Sequence, residues 1–207
     1  YIMTDGNGDV KNIDVVNIFR SGTLKDYGDY SAIKVLTTND TLDQNGNEIT
    51  GTVTADKLYY QGTMDADTPI PWKISIRYFL DGKEYEPDEL AGADGSLEIR
   101  ISIQKNTACK GSFYDDYALQ MSVTMDGEHS SHIVAEDATI ANVGADKQLT
   151  YTILPGKGLE TSVQADVTDF EMAAVAINGI RLNLNVEIDE DELMDKVNDL
   201  IDAFFMR

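Results

Sequence analysis

The sequence predicts a mainly β protein: an immunoglobulin-like antiparallel sandwich over residues 72–188, preceded by a small β-region and followed by a C-terminal helix. Three observations predict it. Residues 73–80 and 97–103 alternate apolar and polar side chains with a period of two, so Ile74, Ile76, Tyr78 and Leu80 share one face and Leu97, Ile99, Ile101 and Ile103 another. Lys73, Ser75 and Arg77 oppose the first set, and Glu98, Arg100 and Ser102 the second, so each strand has one dry and one wet face, as half of a sandwich requires. The same pattern recurs to give about seven strands over about 120 residues, the spacing of an immunoglobulin-like fold. Near Asp189 the period then changes from that of a strand to that of a helix.

Taken in order, residues 1–19 read as a hairpin. Its strands are 1–4 and 10–19, with Ile13, Val15 and Phe19 inward, and its turn is DGNGD at 5–9. Asp5, Asn7 and Asp9 imitate the opening of a calcium loop, but Val10 stands where an EF-hand requires Gly and Val16 where it requires an acid. Glycine and asparagine supply the positive φ of a tight turn, and a plain turn is the expectation. Residues 21–30 read as a loop carrying Gly and Tyr, 33–37 as a short strand, and 43–48 as a hairpin turn around Asn45-Gly46. Residues 53–61, with Leu58, Tyr59 and Tyr60, close a small β-region at 1–62, and the segment 63–71, with Pro69 and Pro71, reads as a linker.

Beyond the first two long strands, Tyr117, Leu119, Met121, Val123 and Met125 face inward and end at Asp126-Gly127. A strand at 133–140 follows, then one marked by Leu149, Tyr151 and Ile153 that stops at Pro155-Gly156, then Val163, Ala165 and Val167. Ile180, Leu182, Leu184, Val186 and Ile188 make the last and longest alternation. The expected core is Ile74, Ile76, Tyr78, Leu97, Ile99, Ile101, Leu119, Met121, Val123, Tyr151, Val163, Leu182 and Leu184. At 189–207, Asp189 is a suitable N-cap, Glu192 completes a capping box, and Leu193, Val197, Leu200 and Phe204 form an apolar stripe with Met194, Ile201 and Phe205 beside them. This helix reads as the start of a stalk, its stripe covered in this chain by self-association with a neighbouring copy or by folding back; the runner-up is a simple C-terminal helix packed against the sandwich.

Composition bounds the function. The 207 residues carry 16 Lys and Arg against 37 Asp and Glu, a formal net charge of −21, and a field of that sign repels nucleic acid and anionic lipid. Cys109 is the single cysteine, which excludes an intrachain disulfide and a thiolate cluster. No apolar run reaches the length that spans a bilayer, and the chain, opening at Tyr1 without Met, reads as a fragment of something longer.

Candidate chemistry is sparse. His129 and His132, beside Glu128 and Asp137, offer two nitrogens but no third ligand at a fixed spacing, so no metal site is assigned. Asp115-Asp116 and the acids at 190–192 lie in a turn and at a helix start, where carboxylates are solvated rather than raised in pKa. Lys73 with Asn183 or Asn185 would suit an intramolecular isopeptide bond, but all lie on the polar phase of their strands. No catalytic residue and no cofactor are expected. The residues singled out for interaction are Trp72, Tyr59 and Tyr60, with Leu193, Val197, Leu200 and Phe204 on the helix; Phe113 and Tyr114 are further aromatic candidates.

Several pieces together resemble a family: YYQGT at 59–63, YFLDGKE at 78–84, DELAG at 88–92 followed by GSLEIRI, LPGKG at 154–158 and ADVTDFEM at 165–172. They look like the extracellular region of large Gram-positive membrane proteins of the phage-infection-protein (YhgE/Pip-like) type and of related surface proteins with Leu-x-x-Gly heptad repeats. The resemblance implies an exported, membrane-tethered ectodomain followed by a helical stalk and transmembrane helices, and it carries over no active-site residue. The Leu-x-x-Gly repeats do not occur in this sequence. The expected function is a non-enzymatic extracellular interaction or spacer module with a protein or cell-wall partner. A carbohydrate-binding module is the alternative, and a hydrolase comes third.

Overall fold

The computed structural model describes residues 1–182. It is mainly β, and every strand pairing is antiparallel. The helix expected at 189–207 and the core residue Leu184 lie outside the described residues.

The first sheet is built on two long strands, β2 (Val10–Tyr27) and β5 (Glu48–Met64). β1 (Ile2–Thr4) pairs with β2, while β3 (Ala32–Val35) and β4 (Leu42–Asn45) both pair with β5. Residues 21–30, expected as a loop, instead continue β2 through Tyr27. A bulge between Arg20 and Gly22 (φ +127°) absorbs the break in register, after which Gly22 to Tyr27 pair with Val53 to Glu48. Glycine hides this continuation from a propensity reading, because it ends strands as often as it bends them. The Asn45-Gly46 turn is present, with Gly46 at φ +62°. Leu24, Ile49, Val53, Leu58 and Tyr60 form a core of their own under this sheet. Because β5 runs to Met64, the connecting segment is 65–71, and Ile70 within it is buried.

Two further sheets share one core. The first has the order β10 (Ser130–Ala135), β13 (Leu159–Val167), β8 (Gly95–Lys105), β6 (Trp72–Leu80), β7 (Lys83–Tyr85), and the second the order β11 (Thr139–Val143), β12 (Asp146–Ile153), β9 (Tyr117–Met125), β14 (Ala176–Arg181). In the first, β6 (Trp72–Leu80) turns through Asp81 (φ +51°) and Gly82 (φ +79°) into β7 (Lys83–Tyr85). A 3-10 turn at Pro87–Glu89 leads to β8 (Gly95–Lys105), which pairs with β6 in full register, Ile76 against Ile101 and Tyr78 against Ile99. A single helical turn, α1 (Phe113–Asp116), leads into β9 (Tyr117–Met125).

The single strand expected at 133–140 is two. β10 (Ser130–Ala135) pairs with β13 in the first sheet, and β11 (Thr139–Val143) pairs with β12 in the second, with Asp137 (φ +62°) at the corner between them. Apolar alternation passes through such a corner unchanged, so it cannot show that the chain has changed sheets. β12 (Asp146–Ile153) and β13 (Leu159–Val167) follow as expected, and β14 (Ala176–Arg181) pairs with the far side of β9.

Of the expected core, Ile76, Tyr78, Leu97, Ile99, Ile101, Leu119, Met121, Val123, Tyr151 and Val163 are buried in one cluster, joined by Leu90 and Phe170 from loops. Ile74 is only half-buried. Leu182 is exposed, as is Ile180, because the register sets Ile177 opposite Met121 and Gly179 opposite Leu119 and so turns the other phase of β14 outward. On the outer face Phe79 is buried, although it shares the polar phase: the Arg77 and Arg100 guanidinium groups lie 5.3 and 4.1 Å from its ring, held by Glu84 and Glu98.

Two predictions follow from this packing. Ile101 is 2% exposed at the centre of the shared core, so Ile101→Ala should lower unfolding free energy by about 2–5 kcal/mol in urea titration. Ile101→Asp should leave no cooperative transition at all, since an unpaired carboxylate in that place has no partner.

A candidate docking cleft beside an N-terminal joint

The DGNGD turn is seated against the free edge of β6. Because β7 covers only Tyr78 to Leu80, the N–H of Ile76 would otherwise face outward; it donates to the Asn7 carbonyl at 2.9 Å. The Tyr78 hydroxyl donates to the Gly6 carbonyl at 3.0 Å, and Asn7 Nδ2 donates to Glu86 at 2.9 Å. A side chain at Gly8 (φ +99°) would meet the Ile74 carbonyl at 2.8 Å, and one at Gly6 would meet the Pro87 ring at 2.6 Å. Both glycines are therefore there for close approach as well as for the turn. The acids that imitate a calcium loop shape the turn itself: Asp5 Oδ1 accepts the N–H groups of Asn7 (3.0 Å) and Asp9 (2.9 Å), and Oδ2 pairs with Lys11 at 2.9 Å. The Lys11 ammonium, with the two backbone bonds, holds the Asp5 carboxyl below the ordinary aspartate range.

Next to this joint, between β6 of one sheet and β9 and β14 of the other, lies a cleft of about 890 Å³. The inner phases of β6 (Trp72, Ile74, Ile76) and of β9 and β14 (Tyr117, Leu119, Ile177) form its walls. Residues 1–6 and the stretch from Phe170 to Val175 close its sides, and the polar groups that reach it include Asp5 and Glu171. The small side chains Ala173, Ala174 and Gly179 leave the space that larger ones would fill. Phe170 is anchored by backbone bonds to the DELAG loop, since Gly92 donates to its carbonyl (2.9 Å) and it donates to Ala93 (3.0 Å).

Trp72 lies in the cleft wall, edge-on to Tyr117 at 6.2 Å, and Phe113 is 5.8 Å from Tyr117. Tyr59 and Tyr60 are on β5, away from it. Tyr60 is fully buried in the first sheet's core with its hydroxyl on Asp26, and Tyr59 is half-buried, so the structure does not bring these two to Trp72. Tyr114 is buried and Phe113 exposed. Leu193, Val197, Leu200 and Phe204, with Asn183 and Asn185, lie outside the described residues; Lys73 is exposed. Sequence reasoning missed the contribution of residues 1–6 and 171–175. The Gly-x-Gly spacing of the turn and the run Met172-Ala-Ala-Val-Ala were the available signals.

The two histidines do not converge. His129, in the turn before β10, has Nδ1 2.8 Å from Asp126, whereas His132, within β10, has Nδ1 2.9 Å from Asp166 on β13. Among the described residues no group of three or more His, Cys, Asp or Glu side chains is placed to hold a metal ion, and no helix is long and apolar enough to cross a membrane. Asp115 pairs with Lys105, and Asp116 with Ser112 and Arg181. No protein-family model matches this chain, nor does any curated protein.

Replacing Gly8 by Val should break the joint, since its Cβ meets backbone and its φ is one that β-branched residues avoid. Limited proteolysis should then cut within 65–71 faster than in the wild type, while Gly46→Asn, in open space and at a φ of +62° that asparagine accepts, should not change that rate. The Asp126 partner raises the His129 pKa above 6.5, and His129 in turn lowers Asp126 below 3.8. The histidine's contribution is therefore complete below pH 6.5 and lost as pH rises through its folded value. The aspartate's contribution is present above 3.8 and lost as pH falls through its own. NMR titration should show His129 titrating above 6.5, and Asp126→Asn should bring it back down.

Proposed function

We propose that this chain is a non-enzymatic extracellular interaction or spacer module of a membrane-tethered bacterial surface protein, built on an immunoglobulin-like sandwich. The observation that carries the reading is the joint. A spacer has to transmit orientation along the chain, and here a turn with two close-approach glycines fixes the first sheet to the edge of β6 by two hydrogen bonds and to Glu86 by a third. The strand order β6-β8-β13-β10 has the succession A-B-E-D of an immunoglobulin sheet, and β14 beside β9 has that of F beside C. The β11–β12 hairpin is then an addition to the second sheet.

The pieces that resemble the phage-infection-protein type of surface protein are structural in the same sense. YFLDGKE is the β6–β7 hairpin, GSLEIRI is most of β8, and LPGKG is the turn between β12 and β13. DELAG and TDFEM are the two stretches that bond each other at Gly92, Ala93 and Phe170. A carbohydrate platform draws less support, because Tyr117 is inclined by 79° to Trp72 and by 38° to Phe113, so the rings share no plane.

The test is topological. With its flanking reading frame expressed in a Gram-positive host, the lysines of this region should react with a membrane-impermeant amine reagent on intact cells. Labelling seen only after lysis would sink the extracellular reading.

A further inference from the structure

We propose that the outer face of the first sheet, where Arg20, Lys34 and Lys57 flank Tyr59 and Ile18, docks an acidic, apolar-bearing peptide segment of a partner protein. The inference deepens the interaction reading and rests on it. Its test uses the purified protein, so it fails separately from the labelling of intact cells.

The pairing register assembles this face from three strands. β5 directs Leu58 and Tyr60 into the core, so Lys57, Tyr59 and Gln61 lie on the opposite side. Across from them β2 sets Arg20 against Lys57, Ile18 against Tyr59 and Val16 against Gln61, and β3 sets Lys34 against Gln61. Leu36 follows two residues after Lys34, and its N–H donates to the Tyr59 carbonyl at 2.8 Å, which continues the β3 register. Ile18 is 59% and Leu36 43% exposed, and Arg20, Lys34 and Lys57 are exposed with them.

Charge sets this face apart from the rest of the molecule. The chain has 37 acids for 16 bases, yet among the described residues no acid lies within ion-pair distance of Arg20, Lys34 or Lys57, whereas Lys11, Lys25, Arg77, Arg100, Lys105 and Arg181 are each paired with one. The nearby acids are engaged elsewhere: Asp14 accepts from Thr63 and Asn12, and Asp40 from Thr54 and Thr38. Arg20 and Lys57 stand directly opposite each other, an arrangement that destabilises a sheet. A local conflict of that kind, left unrelieved beside exposed apolar side chains, marks a surface arranged for a ligand rather than for the fold.

Charge complementarity then names the occupant. Carboxylates answer the cations, and apolar side chains cover Ile18, Leu36 and the Tyr59 ring. A phosphate polymer would use the cations and leave the apolar centre wet. Two copies related by a two-fold axis would set cations against cations. An anionic bilayer is a charged plane that meets the whole −21 charge of the chain, whereas a short segment feels chiefly the face it touches, within a screening length of about 8 Å. An extended peptide with alternating acids and apolar residues meets both requirements.

The probe is a fluorescein-labelled synthetic peptide of alternating Glu and Leu, titrated with the full chain and followed by fluorescence anisotropy at ionic strengths of about 0.02 M and about 0.5 M. The expected result is binding at low salt that weakens several-fold at high salt. Affinity should fall roughly tenfold in the full-length variant Arg20→Gln, Lys34→Gln, Lys57→Gln, and by a similar factor when Gln replaces Glu in the peptide. The variant should melt no lower than the wild type, because the opposed cations are gone. No binding of the peptide, equal affinity of variant and wild type, or a lower melting temperature in the variant overturns the proposal. Tighter binding of inorganic polyphosphate, or of vesicles containing phosphatidylglycerol, than of the peptide overturns it in favour of that anion.

Discussion

An unpaired strand edge is the constraint on which the arrangement of this protein depends. β7 is three residues long, so most of β6 would present open backbone groups at the rim of its sheet. The N-terminal turn covers that rim, and the bond from Ile76 N–H to the Asn7 carbonyl is the central contact. It requires Gly8 to lie almost on the Ile74 carbonyl and Gly6 on the Pro87 ring, distances that any side chain would lengthen. It also requires a turn stiff enough to hold its carbonyl in place, which Asp5 provides by accepting two backbone N–H groups and pairing with Lys11. What looks in sequence like a degraded cation loop is thus a backbone fitting.

The same arrangement creates the cleft. The two sheets pack tightly where β8 and β13 face β9 and β12, with Ile99, Ile103, Met121, Val123 and Leu149 fully buried. Between β6 and β14 the side chains Trp72, Ile74, Tyr117 and Ile177 line the space without filling it, and it is bounded by residues 1–6 and 170–175. The joint therefore fixes one wall of the cleft, and a change in how the turn is seated would also change the cleft's width.

The acid load imposes little on the interior. Among the described residues no charged or polar residue is buried, and the ion pairs lie at the surface, where water screens them and each contributes little. The pairs over Phe79 matter differently. Arg77 and Arg100 cover an aromatic ring on the outer face with their planar groups, while Glu84 and Glu98 hold them there, so apolar area is removed from water by charged residues.

The alternation of Ile74 to Leu80 and of Leu97 to Ile103 determined by itself that these stretches are strands and which face is dry, because a period of two leaves no other way to bury one side. Asp81-Gly82 and Asn45-Gly46 likewise determined their turns, through the positive φ that each requires. Only the tertiary structure decided what depends on partners far along the chain. It carried β2 past Gly22 into a pairing with β5, split 133–140 between two sheets at Asp137, and turned Ile180 and Leu182 outward through the register of β14 on β9. It also brought Asn7 to Ile76, about 70 positions away in the sequence, and set Trp72 and Ile177, about 105 apart, in the walls of one cleft. Local composition sets a strand's faces; only packing selects its neighbour, its register and its sheet, and both the joint and the cleft are made of those choices.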